Sequence, residues 1–333
     1  MSPLQLTRAG WLGVACAALV LVAALSVTVG TRAVGWADIG AALTGRTETI
    51  GQAAVNLRLP RTVLALLAGA ALGVAGAVMQ GVTRNPPADP GLLGVNAGAA
   101  LAVVTGIAWF GLSGSQATIW TGIGGAAVAS AFVYAVGSLG QGGATPLKLT
   151  LAGAATSIAA ASFTLALVLG RNDVAGSVQA WQVGGVGGAS MAAIAPMLPF
   201  LMVGLLAAWA TARHLNMLAL GDDTASAFGV RVVWARGTAL AAAVVLCGVV
   251  TAVCGPIGFL GLVVPHLCRL LMGVDHRWLL PASAVVGAGL LTLAYVAGRI
   301  VARPSEVDVG IVTALIGAPV FIAILRRQRL RGL

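Results

Sequence analysis

RLPRTVLALLAGAALGVAGAVMQGVTRNPPADPGLLGVNAG, residues 58–98, is an apolar helix between a paired-arginine entrance and a proline-broken polar exit. Its apolar part, Thr62 to Val82, runs for about twenty residues, which at a helical rise of ~1.5 Å per residue covers a hydrocarbon layer of ~30 Å. The segment therefore reads as a membrane span. Arginines stand at one end and Asn85-Pro86-Pro87 just past the other, and that asymmetry helps to orient the rest of the chain.

Composition sets the class. Apolar types make up 59% of the residues and charged types 8%, and the mean hydropathy is +0.99, far from the balance of a soluble domain. The chain reads as an all-α polytopic membrane protein, a single transmembrane domain over residues 1–333. The formal charge of +10 comes from basic residues scattered as singles and pairs at the ends of apolar runs. Such placement marks topology and does not build a nucleic-acid face.

About ten spans meet the length criterion, near 11–29, 62–82, 92–111, 117–138, 149–170, 192–212, 237–254, 258–272, 279–301 and 309–325. Arg8 precedes the first, an apolar run too long for a secretory signal core. An even count puts both termini on one side. With the N-terminus cytoplasmic, twelve of the nineteen basic residues lie inside; Arg32, Arg46, Arg58, Arg61, Arg171, Arg299 and Arg303 lie outside. The bias agrees with positive-inside topology. Residues 30–60 read as an external loop and 213–236 as a cytoplasmic one.

RHLNMLALGDDTASAFGVRVVWAR, residues 213–236, reads as two short helices with a turn at Gly221. Asp222 and Asp223 stand at the N-terminal end of the second, where acidic residues favour the helix dipole. Such a knuckle either offers a projection to a partner protein or is an ordinary capped loop.

Several chemistries are excluded. The one lysine, Lys148, is followed by Leu149, so there is no P-loop and the chain is not its own ATPase of that type. The nine acidic residues fall in loops or near helix ends, which does not support a proton- or sodium-coupled carrier. Cys16, Cys247, Cys254 and Cys268 lack metal-ligand spacing, and His266 with Cys268 makes no site alone. No metal or cofactor is expected in this chain.

The stretch from Arg58 to Gly98, the knuckle LALGDDTASAFGV, the segment CGPIGFLGLVVPHLCRLLMGVDHRWLLP and the closing EVDVGIVTALIGAPVFIAILRR together resemble the FecCD family, the permease subunits of ATP-binding-cassette importers for ferric siderophores, haem and cobalamin. The resemblance covers nearly the whole chain after Trp36. It implies a type II ABC importer permease fold in a bacterial inner membrane. It also implies a second permease subunit, identical or related, a cytoplasmic ATPase dimer carrying ATP and magnesium, and an external substrate-binding protein. By position, Arg58, Arg61 and Arg299 would dock the binding protein, and Gly221, Asp222, Asp223, Ala225 and Gly229 would couple to the ATPase. Gly255, Pro256, Gly258, Gly261, Thr313, Gly317 and Pro319 become candidate pathway or hinge positions. Trp181 and Gln182, before GGVGG in an external loop, read either as residues near the gate or as an interfacial aromatic anchor. Tyr295 departs from the family pattern, in which an acidic residue is common there.

The expectation is a permease importing a ferric siderophore, with cobalamin or haem as alternative cargo. From other classes, a secondary carrier or channel would pass substrate without an ATPase, and a membrane scaffold would pass none.

Overall fold

The computed structural model describes residues 3–30, 34–44, 46–140 and 145–331; Arg32 lies outside them. Every regular element among the described residues is helical. In chain order they are α1 (Pro3–Thr28), α2 (Trp36–Leu43), α3 (Ile50–Thr83), α4 (Val95–Phe110), α5 (Ser115–Gly137), α6 (Pro146–Leu169), α7 (Asn172–Gln182) and α8 (Met191–Ile194). There follow α9 (Leu198–Ala210), α10 (Ala212–Leu218), α11 (Asp222–Ala227), α12 (Val232–Cys254), α13 (Leu260–Met272), α14 (His276–Val301) and α15 (Val309–Arg331). Seven stretches are long and apolar enough to cross a membrane, with α8 and α9 forming one of them. Three shorter apolar helices, α4, α13 and the apolar part of α15, bring the described set to the ten that were expected.

The largest departure is α3. Hydropathy starts the span at Thr62, whereas the helix begins at Ile50 and runs 34 residues, about 51 Å at ~1.5 Å per residue. A capping box starts it early. The Thr49 hydroxyl accepts from the Gln52 N–H at 3.2 Å, and Gln52 Oε1 accepts from the Thr49 and Glu48 N–H groups at 3.3 and 2.8 Å. Pro60, inside the helix, removes one donor without ending it. The region read as the 30–60 loop is thus partly helical, since α2 docks on the start of α3 through the Thr49 hydroxyl donating to Asp38 at 2.9 Å.

α3 is the axis of the bundle, packed against α14, α12 and α13. Close approach explains its small residues. A Cβ on Gly76 would overlap the backbone of Gly261, and one on Gly69 would overlap that of Gly287. With no hydrophobic drive between helices in lipid, such backbone contact supplies the dispersion that holds them together. Outward, α5, α6 and α9 expose Phe132, Leu151, Phe163, Met202 and Leu206, as lipid-facing or subunit-facing helices do.

Candidate functional site

Three polar regions lie along α3. At its N-terminal end the expected docking arginines come together, but not at the surface. Arg58 and Arg299 are only 5% and 1% exposed. Arg58 Nη1 donates to the carbonyls of Val27 and Thr28 at 3.1 Å each, Arg299 Nη2 to the carbonyl of Ser26 at 2.7 Å, and Arg303 Nη2 to that of Gly30 at 2.8 Å. These are carbonyls at and just past the end of α1, the groups a helix terminus leaves without intrahelical partners. Arginine side chains close them and suit the negative end of the dipole. Ser26 also shares a 2.7 Å hydrogen bond with Thr62, fastening α1 to α3.

Arg299 has two buried nitrogens without a hydrogen bond, and its guanidinium lies 4.1 Å from the centre of the Tyr295 ring. Tyr295 therefore supplies a cation–π contact to this buried cation. Arg61 is different. It pairs with Glu306 at 2.9 Å, and its side chain keeps 23% exposure. Of the three expected docking arginines it is the one offered to solvent, because the other two are spent on α1.

At mid-bundle the helical path breaks between α12 and α13. Gly255 has φ +73° and the carbonyl of Trp181 pressed against it, so a side chain there would be strained as well as crowded. Neighbours satisfy the freed backbone, as membrane burial demands. The Gly185 N–H donates to the Cys254 carbonyl at 2.7 Å, Gln80 Nε2 to the Gly261 carbonyl at 3.1 Å, and Asn96 Nδ2 to the Ile257 carbonyl at 3.4 Å. The start of α15 joins the same point through Gly310 N–H to Gly184 O at 2.8 Å. Pro256 abuts Gly184, while no heavy atom crowds Gly258.

Phe259, with φ +65°, packs against Gly317, and with Thr313 they line a void of only about 10 Å³. Gly255 and Pro256 lie against Gly184, which the start of α15 also meets through Gly310, and farther along α15 Thr313 and Gly317 lie by Phe259, so these candidate hinge residues form a joint between α12, α13 and α15. Gly261 instead packs against Gly76, Asp89 and Pro90, and Pro319 stands exposed. Phe259 was not singled out from sequence, since nothing marks a phenylalanine in an apolar run. Gln80 and Asn96 did carry a signal, being polar side chains inside apolar helices. Asp89 adds a feature that its position in the sequence does not show. It stands in a connection, yet that connection folds into the bundle, leaving Asp89 7% exposed and capping the turn Pro90–Leu93 through Gly91 N–H at 2.7 Å.

At the other end of α3 the knuckle forms as two short helices, α10 and α11. Gly221 at φ +111° and Gly229 at φ +80° take the backbone conformations the turns require. Ala225 is buried beneath them and Asp223 is exposed. Asp222, half-buried, accepts from Arg236 Nη2 at 2.9 Å and also from Arg84, the residue that ends α3. The acidic pair therefore divides its work: Asp222 ties α11 to α3 and α12, and Asp223 faces outward. Among the described residues no group of three or more His, Cys, Asp or Glu is placed to hold a metal ion.

Comparison with known proteins agrees with this architecture. The FecCD transport family matches residues 18–327. The ferric enterobactin transport system permease protein FepD of Escherichia coli (strain K12) is 42% identical over 315 residues, covering 94% of each chain. The probable siderophore transport system permease protein YfiZ of Bacillus subtilis (strain 168) is 38% identical over 320 residues, covering 95% of this chain and 96% of its own. A solved ABC transporter assigned to the metal-chelate type, in an inward-facing conformation, superposes with a TM-score of 0.80 at 27% identity, covering 96% of this chain and 99% of the other.

Proposed function

Because the chain belongs to the FecCD transport family, we propose that it is the permease subunit of an ATP-binding-cassette importer carrying a ferric siderophore across the bacterial cytoplasmic membrane. The observation that carries the reading is likeness over whole chains, 42% across 94% of both partners with an enterobactin permease, rather than any local motif. Both termini and the knuckle lie in the cytoplasm, in keeping with the arginine bias. A second permease subunit, identical or related, completes the pathway. ATP and magnesium sit on the partner ATPases, and this subunit performs no covalent step.

The geometry supports mechanical alternation. An ATPase dimer that closes pushes on α11 through its exposed face, where Asp223 and Phe228 lie. The Asp222 tie passes that displacement to the ends of α3 and α12. At mid-bundle the joint of Gly255, Phe259 and Gly317 is the place where the tilt is taken up, as hinges at element ends commonly are. At the outer end Arg61 is the binding-protein contact. An exposed ion pair contributes only ~0.2–1 kcal/mol, so its service is registration and encounter rate.

The test is ATP-dependent uptake into proteoliposomes holding this permease, its ATPase and its binding protein, with ferric siderophore, haem and cobalamin compared. Siderophore uptake that stops without ATP supports the reading. Accumulation of haem or cobalamin instead changes the cargo and keeps the class. Flux without any ATPase would return the chain to the carriers and channels.

A further inference from the structure

Beside the knuckle, between α1, α3, α10 and α13, lies a recess of about 640 Å³ bordered by Arg8, Arg84, His266, Arg269, Asp275 and His276. We propose that it binds the phosphate headgroup of an anionic phospholipid. Its charges do not balance internally. Arg84 is already committed to Asp222. Arg269, half-buried, donates to the neutral Gln80 Oε1 and has no carboxylate partner among the described residues. The Arg8 guanidinium lies by Gly273 and likewise forms no ion pair among them.

The single carboxylate on the rim, Asp275, is largely spent. It accepts from Asn216 Nδ2 at 2.7 Å and from the Arg277 N–H at 3.0 Å. Burial pushes its carboxyl up, but these hydrogen bonds and the nearby Arg277 and Arg8 outweigh burial and hold it below the usual carboxylate range. It stays charged and offsets only one of the guanidinium groups. A half-buried guanidinium without a counter-charge is costly, and an oxyanion reaching two such groups offsets that cost with charge-assisted hydrogen bonds.

Two features select a lipid over a soluble anion. First, the cations share one level along the bundle. Arg8 is the second residue of the span Thr7–Thr28, Arg84 follows the last residue of α3, and Arg269 is in the last turn of α13. Span ends mark the headgroup layer, and basic pockets between helices on the cytoplasmic side are where anionic headgroups bind. Second, Leu220, Leu270 and Val274 on this side are 61%, 72% and 75% exposed, and acyl chains would cover them where free phosphate would not. Placement in the cytoplasmic leaflet rests on the proposed orientation; lipid retention itself is read without transport, so the two can fail separately.

The permease is purified with its ATPase from an equal mixture of dioleoylphosphatidylcholine and dioleoylphosphatidylglycerol, and bound lipid is counted by native mass spectrometry. Wild type is expected to retain phosphatidylglycerol selectively, and R8Q/R269Q to lose about tenfold or more of it, since each arginine near an anionic surface is worth ~1 kcal/mol. R8K/R269K, which keeps the charge, should retain most of it and guards against simple misfolding. R213Q/R231Q removes the same charge from exposed positions of the same face and should change little. Equal loss in both glutamine pairs would reduce the effect to diffuse surface charge and overturn the site. Thermal protection by inorganic phosphate with no lipid retained would make it a soluble-anion pocket. Crosslinking of an R269C permease to an acidic segment of the ATPase, again with no lipid retained, would assign the recess to the partner protein. Either result overturns the proposal.

Discussion

The two ends of α3 use the same residue type in opposite ways. At the N-terminal end Arg58, Arg299 and Arg303 are consumed within the chain, closing the carbonyls of Ser26, Val27, Thr28 and Gly30, while Arg61 meets Glu306. At the knuckle end Arg84 and Arg236 share one Asp222, and Arg8 and Arg269 form no close ion pair among the described residues. An arginine beside a span therefore tells topology before it tells partner. Whether it is available depends on what a neighbouring helix end leaves unsatisfied.

The contrast is broken most directly at Arg299. R299A should cost about 3 kcal/mol of stability by leaving a void beside Tyr295 and removing the donor to the Ser26 carbonyl near the end of α1, read as a lowered unfolding midpoint in detergent. A variant as stable as wild type would show that the cluster of Arg58, Arg299 and Arg303 is not structural. Between the two ends lies the crossing of Gly76 with Gly261, which depends on close approach and not on charge. G76A should destabilise by ~1–3 kcal/mol through overpacking and be indifferent to salt; salt-sensitive behaviour would implicate the nearby polar groups instead.

At the knuckle, D222N and D223N should separate. D222N cuts a tie worth ~1 kcal/mol and should lower substrate moved per ATP several-fold while the ATPase still co-purifies. D223N should weaken ATPase binding modestly, more so at low salt, and leave the transport ratio unchanged. Identical behaviour of the two variants would remove the division between strut and contact. The smallest effect is expected at Arg61. R61A should shift stability by less than ~0.5 kcal/mol yet slow association with the binding protein, most visibly at low ionic strength. If R61A unfolds the protein as R299A does, the two arginines are alike after all.

Much of this was legible in sequence because it follows from local chemistry. Runs of about twenty apolar residues need no partner to be recognised as spans, since the bilayer supplies the solvent. The knuckle was legible too, because Gly221 and the acidic pair mark a turn and a helix start wherever they occur. The early start of α3 was locally encoded in Thr49 and Gln52 but hidden from hydropathy, which is blind to a capping box of polar residues. By itself, then, the sequence determined the class, the spans, the break after Cys254 and the resemblance that names the family. Only the tertiary structure decided that Arg58 and Arg299 turn inward, that Asp222 and Asp223 part company, that Phe259 seals against Gly317 and that Asp89 is buried. Each depends on which carbonyl, cation or glycine from a distant segment arrives beside it, and hydrogen-bond and steric terms of that kind act over a few ångströms in space whatever the separation along the chain.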